Sequence, residues 1–368
     1  MTHSLLPLRC IAAILLLAAC EPVQQEERFT ATRTEYSALD GWMTDDHAAA
    51  RAAFVVSCQK LYDKPQATTE ESQITIGREA WEKPCVAAQK IANDTAAARL
   101  FFEHYFTPFT ITNNDEPEGL FTGYYEPLLY GARAQGGDFR YPVYGRPDDL
   151  IEGTPYLTRE QIETQGLEKK APVLAWVEDP AMLFFMQVQG SGRIRFMQGP
   201  DMRVGFAGRN GHGYQSVGKI MREEGLVPED QLDFFGIRQW LYKNPTKARA
   251  MMWRNPSYIF FREMEGDGPV GGAGVALTPG RSLAVDKRYI PYGLPLFVQT
   301  ELPAGPGREA EPLNRLMIAQ DTGGAIKGPV RGDVFFGYGD DAEYYAGRMK
   351  SQGRATLLVP KAVASQLE

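Results

Sequence analysis

Three aspartates stand in settings that could do acid–base chemistry. Asp286 lies in Ala-Val-Asp-Lys-Arg-Tyr-Ile-Pro-Tyr-Gly, Asp321 opens Asp-Thr-Gly-Gly-Ala-Ile-Lys-Gly, and Asp333 lies in Gly-Asp-Val-Phe-Phe-Gly. The last two share a glycine-rich frame from Asp321 to Gly339, with five glycines between Gly323 and Gly337 and Lys327 and Arg331 among them. Glycine takes positive φ at little steric cost and lets backbone approach a ligand closely, so the frame reads as tight turns around a site. Val334-Phe335-Phe336 reads as a short buried strand. Asp333 would then sit where a loop enters a strand, with its carboxyl held at the mouth of a cleft and able to serve as an acid. An Asp beside glycine can equally do no more than close a turn through its own backbone, so residue type alone leaves both roles open. Asp286, next to Lys287 and Arg288, reads as a structural ion pair or turn former.

The elements that would position these residues fall into three stretches. From Asp45 to Leu61 the alanine-rich pattern is helical, with acidic residues at its start where the helix dipole favours them, and further helices are predicted at 76–91 and 95–105. From Phe106 the chain turns β-branched and aromatic, with strands at 109–112 and within 119–130 that carry Tyr124 and Glu126. Proline and glycine between 137 and 153 mark a boundary. Beyond it, 173–176, 183–190 and 193–196 read as strands, the last two as a hairpin around Ser191-Gly192, followed by a strand at 202–207. Helices are predicted at 215–224 and 228–244. Gln187, Gln189, Arg209 and Asn210 are polar groups in glycine-rich surroundings that either line a carbohydrate groove or supply ordinary hairpin polarity. Tyr124 and Tyr125 either pack on alternate faces or stack on sugar rings. From Val270 the chain is strand-like again, with 316–320 a buried strand leading into Asp321 and 355–359 the last strand. The expected class is mainly β with some helix, in a β, insertion, β order.

Composition narrows the function. The chain has 368 residues, 43% hydrophobic and 23% charged, with 37 glycines and 25 prolines, which suits a turn-rich globular protein with a sizeable core. A net charge of −7 gives no electrostatic footprint for nucleic acid. The apolar run ending in Leu17-Ala18-Ala19-Cys20 is too short to span a membrane, which takes about 20 residues, and reads as a lipoprotein signal over 1–20 with Cys20 lipidated. The polar stretch 21–43 reads as a tether. Export leaves Cys58 and Cys85 in an oxidising compartment, where a disulfide between their helices is open to them if their Cα atoms come within about 7 Å. The four histidines are scattered without paired spacing, so no metal site is predicted.

In their order, the three aspartate segments resemble the three-aspartate domain of the membrane-bound lytic murein transglycosylase A family. Gly123-Tyr-Tyr-Glu-Pro127, Val188-Gln-Gly-Ser-Gly192, Ala207-Gly-Arg-Asn-Gly211 and Asn255-Pro-Ser-Tyr-Ile-Phe-Phe261 extend the resemblance upstream. It implies a double-psi β-barrel formed by both ends of the chain (44–136 and 270–368), a smaller β-rich substrate-binding domain inserted at 137–269, and a groove between them for a peptidoglycan glycan strand. It also implies a carbon–oxygen lyase, a peptidoglycan lytic exotransglycosylase that needs no cofactor. Such an enzyme cuts the β-1,4 bond from N-acetylmuramic acid to N-acetylglucosamine and leaves 1,6-anhydro ends; the residues themselves leave exo against endo cutting open. One carboxyl suffices for this reaction. It protonates the leaving oxygen and then accepts the proton of the C6 hydroxyl that closes on the anomeric carbon, whereas hydrolysis calls for a second carboxylate.

By its place in the pattern Asp333 takes the acid–base role and Asp321 supports it, with Tyr124, Glu126, Gln187, Gln189, Arg209, Asn210 and Lys327 as substrate-binding candidates. The link Pro329-Val330-Arg331-Gly332 is slightly longer than the family's usual one. The resemblance further implies a lipid anchor in the outer membrane facing the periplasm, and other cell-wall enzymes as partners. A non-catalytic wall-binding module and a hydrolytic muramidase with Asp321 activating water are the competing readings.

Overall fold

A computed structural model describes residues 27–61, 74–266 and 268–368. The predicted lipoprotein signal over 1–20 with Cys20, and residues 21–26 of the predicted tether, lie outside them. A cap of three helices, α1 (His47–Leu61), α2 (Arg78–Lys90) and α3 (Thr95–Tyr105), comes first among the helices, close to the predicted bounds. Asp94 caps α3 by accepting from Ala97 N at 2.8 Å. Cys58 and Cys85 join α1 to α2 in a disulfide with Cα atoms 5.6 Å apart. The cap closes over aromatic rings of Phe54, Trp81, Phe101, Phe102 and Phe106. A buried bidentate pair from Arg281 to Asp45 at 2.9 Å fastens it to the sheet below, and Asp45 also accepts from Leu316 N.

That sheet contains β1 (Phe29–Arg33), β2 (Phe106–Asn113), β3 (Gly119–Glu126), β10 (Ser282–Val285), β11 (Pro295–Leu302), β12 (Glu311–Asp321), β13 (Arg331–Tyr338) and β14 (Lys350–Pro360). Its order is β1-β2-β14-β11-β12-β10-β13-β3, and β14 also pairs with β3. Six strands thus close into a barrel, while β1 and β2 extend from β14. Strands from both ends of the chain build it. The expected tether is corrected here: Phe29–Arg33 pairs antiparallel with β2, and Trp42 is buried against Phe297. The apolar and β-branched residues in this stretch find partners in the sheet.

The chain leaves the barrel after Glu126 and enters a second sheet at β4 (Leu128–Ala132), nine residues before the predicted boundary at 137. β5 (Tyr141–Tyr144), β6 (Val173–Val177), β7 (Ser191–Phe196), β8 (Met202–Arg209) and β9 (Ile259–Met264) complete it in the order β5-β6-β4-β7-β8-β9. Helices α4 (Arg159–Gln165), α5 (Pro180–Gln189), α6 (Val217–Glu223), α7 (Phe234–Lys243) and α8 (Pro245–Trp253) belong to the same body. The strand expected at 183–190 is instead α5. Asp179 accepts from Ala181 N and Met182 N, Pro180 starts the helix, and Gly190 ends it at φ 80° with its N–H on Met186 O. Residues 181–187 are all buried, so no alternation with solvent marks the helix. Helix α9 (Asp340–Arg348) has no counterpart in the sequence reading and packs on β3 and β13.

Candidate active site

Strand register brings the aspartates together. Asp321 pairs with Ala284, Ala284 with Asp333, and Asp333 with Thr122, so the four residues form one row across β12, β10, β13 and β3. Residues paired directly across neighbouring strands point to the same face, and strands lie about 4.8 Å apart, which sets the two aspartate backbones roughly 10 Å apart with a methyl group between them. Tyr124, two residues after Thr122, shares that face. Asp333 is the third residue of β13, slightly inside the strand and past the predicted loop entry. Of the five glycines in its frame, Gly328 and Gly337 take positive φ (104° and 90°), while Gly323, Gly324 and Gly332 do not.

The row forms one wall of a cavity of about 840 Å³ between the barrel and the inserted sheet. Thr122, Tyr124, Asp321, Arg331 and Asp333 line it on the barrel side, and Gln187, Gln189, Phe206, Arg209 and Tyr214 on the other. Both of Asp321's oxygens are engaged. Oδ1 accepts from Gly272 N and Thr322 N, and Oδ2 from the Tyr124 hydroxyl, all at 2.8 Å. Gly272 must be glycine to come this near, because a Cβ there would stand 2.4 Å from the Tyr292 hydroxyl oxygen. Burial pushes the Asp321 carboxyl above its ordinary pKa, and the three hydrogen bonds pull the other way.

Asp333 accepts one hydrogen bond, from Thr122 Oγ1 to Oδ1 at 2.5 Å, and Oδ2 bonds to no described residue. Burial raises its pKa to about 6; the Arg331 charge and the Thr122 bond hold it down, and the Asp321 charge adds to the rise. A carboxyl poised there is protonated in a useful fraction near neutrality and ionised readily after giving its proton away, as a group acting in both directions requires.

The other candidates divide. Gln189 receives Tyr125 N on Oε1 at 3.1 Å, and its amide NH₂ bonds to no described residue. Arg209 is exposed on the cavity wall, its backbone in register with Ile259 and its side chain without a hydrogen-bond partner among the described residues, and Tyr124 combines its bond to Asp321 with a place in the lining. Gln187 reaches the lining, but it is 3% exposed and its oxygen accepts from Arg159, so it holds the wall in shape. Glu126 and Asn210 are corrected. Glu126 is 1% exposed and paired with Arg193 and Arg203 at 3.2 and 3.3 Å, which pins β7 and β8 to the end of β3. Asn210 is buried, donating to Leu157 O and Pro256 O and accepting from Tyr258 N, and so ties three loops together. Lys327 is exposed and outside the lining, because buried Ile326 turns toward the cavity and Gly328 N binds Asp286, leaving the residue between them to solvent.

Asp286 makes the ion pair its neighbours suggest, with Arg288 and with the backbone N–H of Arg288 and Gly328. Among the described residues no cluster of His, Cys, Asp and Glu could hold a metal. Phe206 and Tyr214, 52% and 47% exposed on the cavity wall, were not singled out from the sequence. An exposed aromatic beside a glycine-rich loop is the signal that would have found Tyr214.

The joint between the two bodies combines ion pairs with aromatic packing. Glu343 of α9 accepts from Tyr125 at 3.1 Å and from Arg238 of α7 at 2.9 Å, and Arg348 lies 3.7 Å over the Phe235 ring. Gly123 admits α9 at this joint, since a Cβ there would fall 2.9 Å from the Ala346 Cα.

Residues 120–262 match the MltA specific insert domain and residues 281–359 the 3D domain. Over 242 residues the chain is 34% identical to the membrane-bound lytic murein transglycosylase A of Escherichia coli (strain K12), a match covering 65% of each chain. Among solved structures it is similar to MltA from Neisseria gonorrhoeae (35% identity, TM-score 0.77, 90% of this chain and 93% of that one). It is also similar to E. coli MltA with bound chitohexaose (27% identity, TM-score 0.70, 90% of this chain and 94% of that one). The two family models follow one another along the chain as the inserted sheet and the returning barrel strands do, and the chain belongs to the MltA family of membrane-bound lytic murein transglycosylases.

Proposed function

We propose that the protein is a lytic transglycosylase that cleaves the β-1,4 bond between N-acetylmuramic acid and N-acetylglucosamine in peptidoglycan and forms 1,6-anhydro ends. The observation that carries this reading is the contrast within the row: Asp333 has an oxygen free of described partners and a pKa near 6, while both oxygens of Asp321 are occupied. Asp333 gives its proton to the glycosidic oxygen as the C1–O bond breaks toward that oxygen. The C6 hydroxyl oxygen then bonds to C1, and its proton returns to the Asp333 carboxylate. No water is consumed. Asp321 braces Tyr124 and the Gly272 loop, which holds that side of the cavity in place beside the reacting sugar. The chitohexaose in the E. coli relative, itself a β-1,4-linked chain, supports a glycan strand as occupant of the groove, with Phe206, Tyr214, Arg209 and Gln189 as its contacts. We further propose anchoring through Cys20 to the periplasmic face of the outer membrane, on the signal at 1–20.

The test is product analysis. The chain lacking residues 1–20, and its Asp333→Asn form, are each incubated with purified peptidoglycan and the fragment ends identified by mass. Anhydro ends from the first and none from the second bear the mechanism out; reducing ends would make the protein a hydrolase and return Asp321 to consideration as a base.

A further inference from the structure

Arg331 donates from Nη2 to Thr122 Oγ1 at 2.8 Å, and Thr122 donates to Asp333 Oδ1 at 2.5 Å. Arg331 is held for this by two carbonyls, Leu120 O at 3.2 Å and Gly332 O. A guanidinium has only donors, so the Thr122 oxygen must accept from it, and the single hydroxyl hydrogen is left to point at Asp333. We infer that Arg331 and Thr122 form a one-way relay that keeps Oδ1 of Asp333 an acceptor and so makes Oδ2 the oxygen that carries and recovers the catalytic proton. An Oδ1-protonated carboxyl would donate to Thr122 instead and strip the threonine hydrogen of its only acceptor among the described residues. Thr122 is thereby a positioning residue. Arg331 acts through it, with its planar head engaged elsewhere, so that the carboxyl keeps a proton to give.

This inference rests on the transglycosylase reading, and the experiment separates the two. Asp333's titration is followed by carbon NMR of labelled aspartate in the substrate-free chain, and turnover and anhydro-end yield are measured against pH. In Thr122→Val the carboxylate loses its donor: the titration and the alkaline limb of kcat/KM should both move up by about half to one pH unit, and kcat should fall about tenfold with KM little changed. Thr122→Ser should restore both. Arg331→Met should move the titration up at least as far, since a cation is lost as well. Unchanged profiles in Thr122→Val, or a serine variant as poor as the valine one, would overturn the relay. If Thr122→Val does not fold, Thr122→Ser against Arg331→Met decides: the first must keep the wild-type titration and the second must shift it. Titration shifts as expected without anhydro ends from the wild-type chain would leave the relay standing and refute the activity.

Discussion

Asp286, just past the end of β10, and Asp333, on the neighbouring β13, are the same residue with an arginine two positions away, and they are driven in opposite directions. Burial would raise both. At Asp286 the bidentate Arg288 pair and two backbone N–H donors outweigh burial, and the pKa falls below its ordinary value. At Asp333 the arginine spends its donors on two carbonyls and a threonine, one hydroxyl reaches the carboxyl, and burial wins. An adjacent cation therefore does not decide whether a carboxyl is a brace or an acid. What decides is where the donors of that cation go.

The comparison can be broken by substitution. The largest effect belongs to Asp333→Asn, which should lower turnover about a thousandfold in the anhydro-end assay, since Asp321, the other carboxyl of the row, has both oxygens already engaged. Next, kcat/KM of the wild-type chain should fall as pH rises through about 6, because the substrate-free enzyme must hold its proton; a flat profile from pH 5 to 8 would remove Asp333 from the acid role. Asp321→Asn should keep the fold but lose roughly ten- to a hundredfold in kcat, measured in the same assay, as Tyr124 and the Gly272 loop lose their brace.

Stability sharpens the contrast. Asp286→Ala should cost about 2–3 kcal/mol in urea unfolding at pH 7, discounted because Arg288 is partly exposed, with turnover per folded molecule nearly unchanged. Its folded pKa is depressed, so the wild-type advantage is present above the ordinary value near 3.9 and is lost as pH falls below it. Asp333 has the opposite sign. Its raised pKa favours folding at acid pH and that contribution is lost as pH rises through 6, so Asp333→Asn should unfold at higher urea than wild type at pH 7.5, by roughly 1–2 kcal/mol, and no higher at pH 4. Lys327→Ala should change neither turnover nor stability measurably.

Much of this was legible because it is local. Glycine-rich frames, β-branched runs and capped helices are written in neighbouring residues, and they gave the β, insertion, β order, the helical cap and the two cavity aspartates. What depends on pairing over distance was not. Nothing beside Glu126 announces that Arg193 and Arg203 enclose it, and nothing beside Asn210 announces the carbonyls of Leu157 and Pro256. Thr122 carries no signal at all, since its role comes from register with a strand 211 residues later. The misread helix α5 is different: Asp179-Pro180 and Gly190 were visible as its ends, but the apolar run Leu183-Phe-Phe-Met outweighed them because a fully buried helix lacks the polar face that betrays its period.

The ring of six strands has one more consequence, for motion. A closed ring has no free edge from which to fray, so the backbone amides of β10, β12, β13 and β3 around the aspartate row should exchange their hydrogens with solvent only when the whole barrel opens. The facing wall is a sheet whose outer strands β5 and β9 meet through a single bridge from Gly145 to Phe261, and it is joined to the barrel by the crossing at Pro127, the segment after Met264 and the Glu343 bridge. Its amides should exchange faster. Under the proposed function a glycan strand would then meet one wall that opens only with the whole barrel and another that opens more readily, so it could be admitted and released with Asp333 still in register.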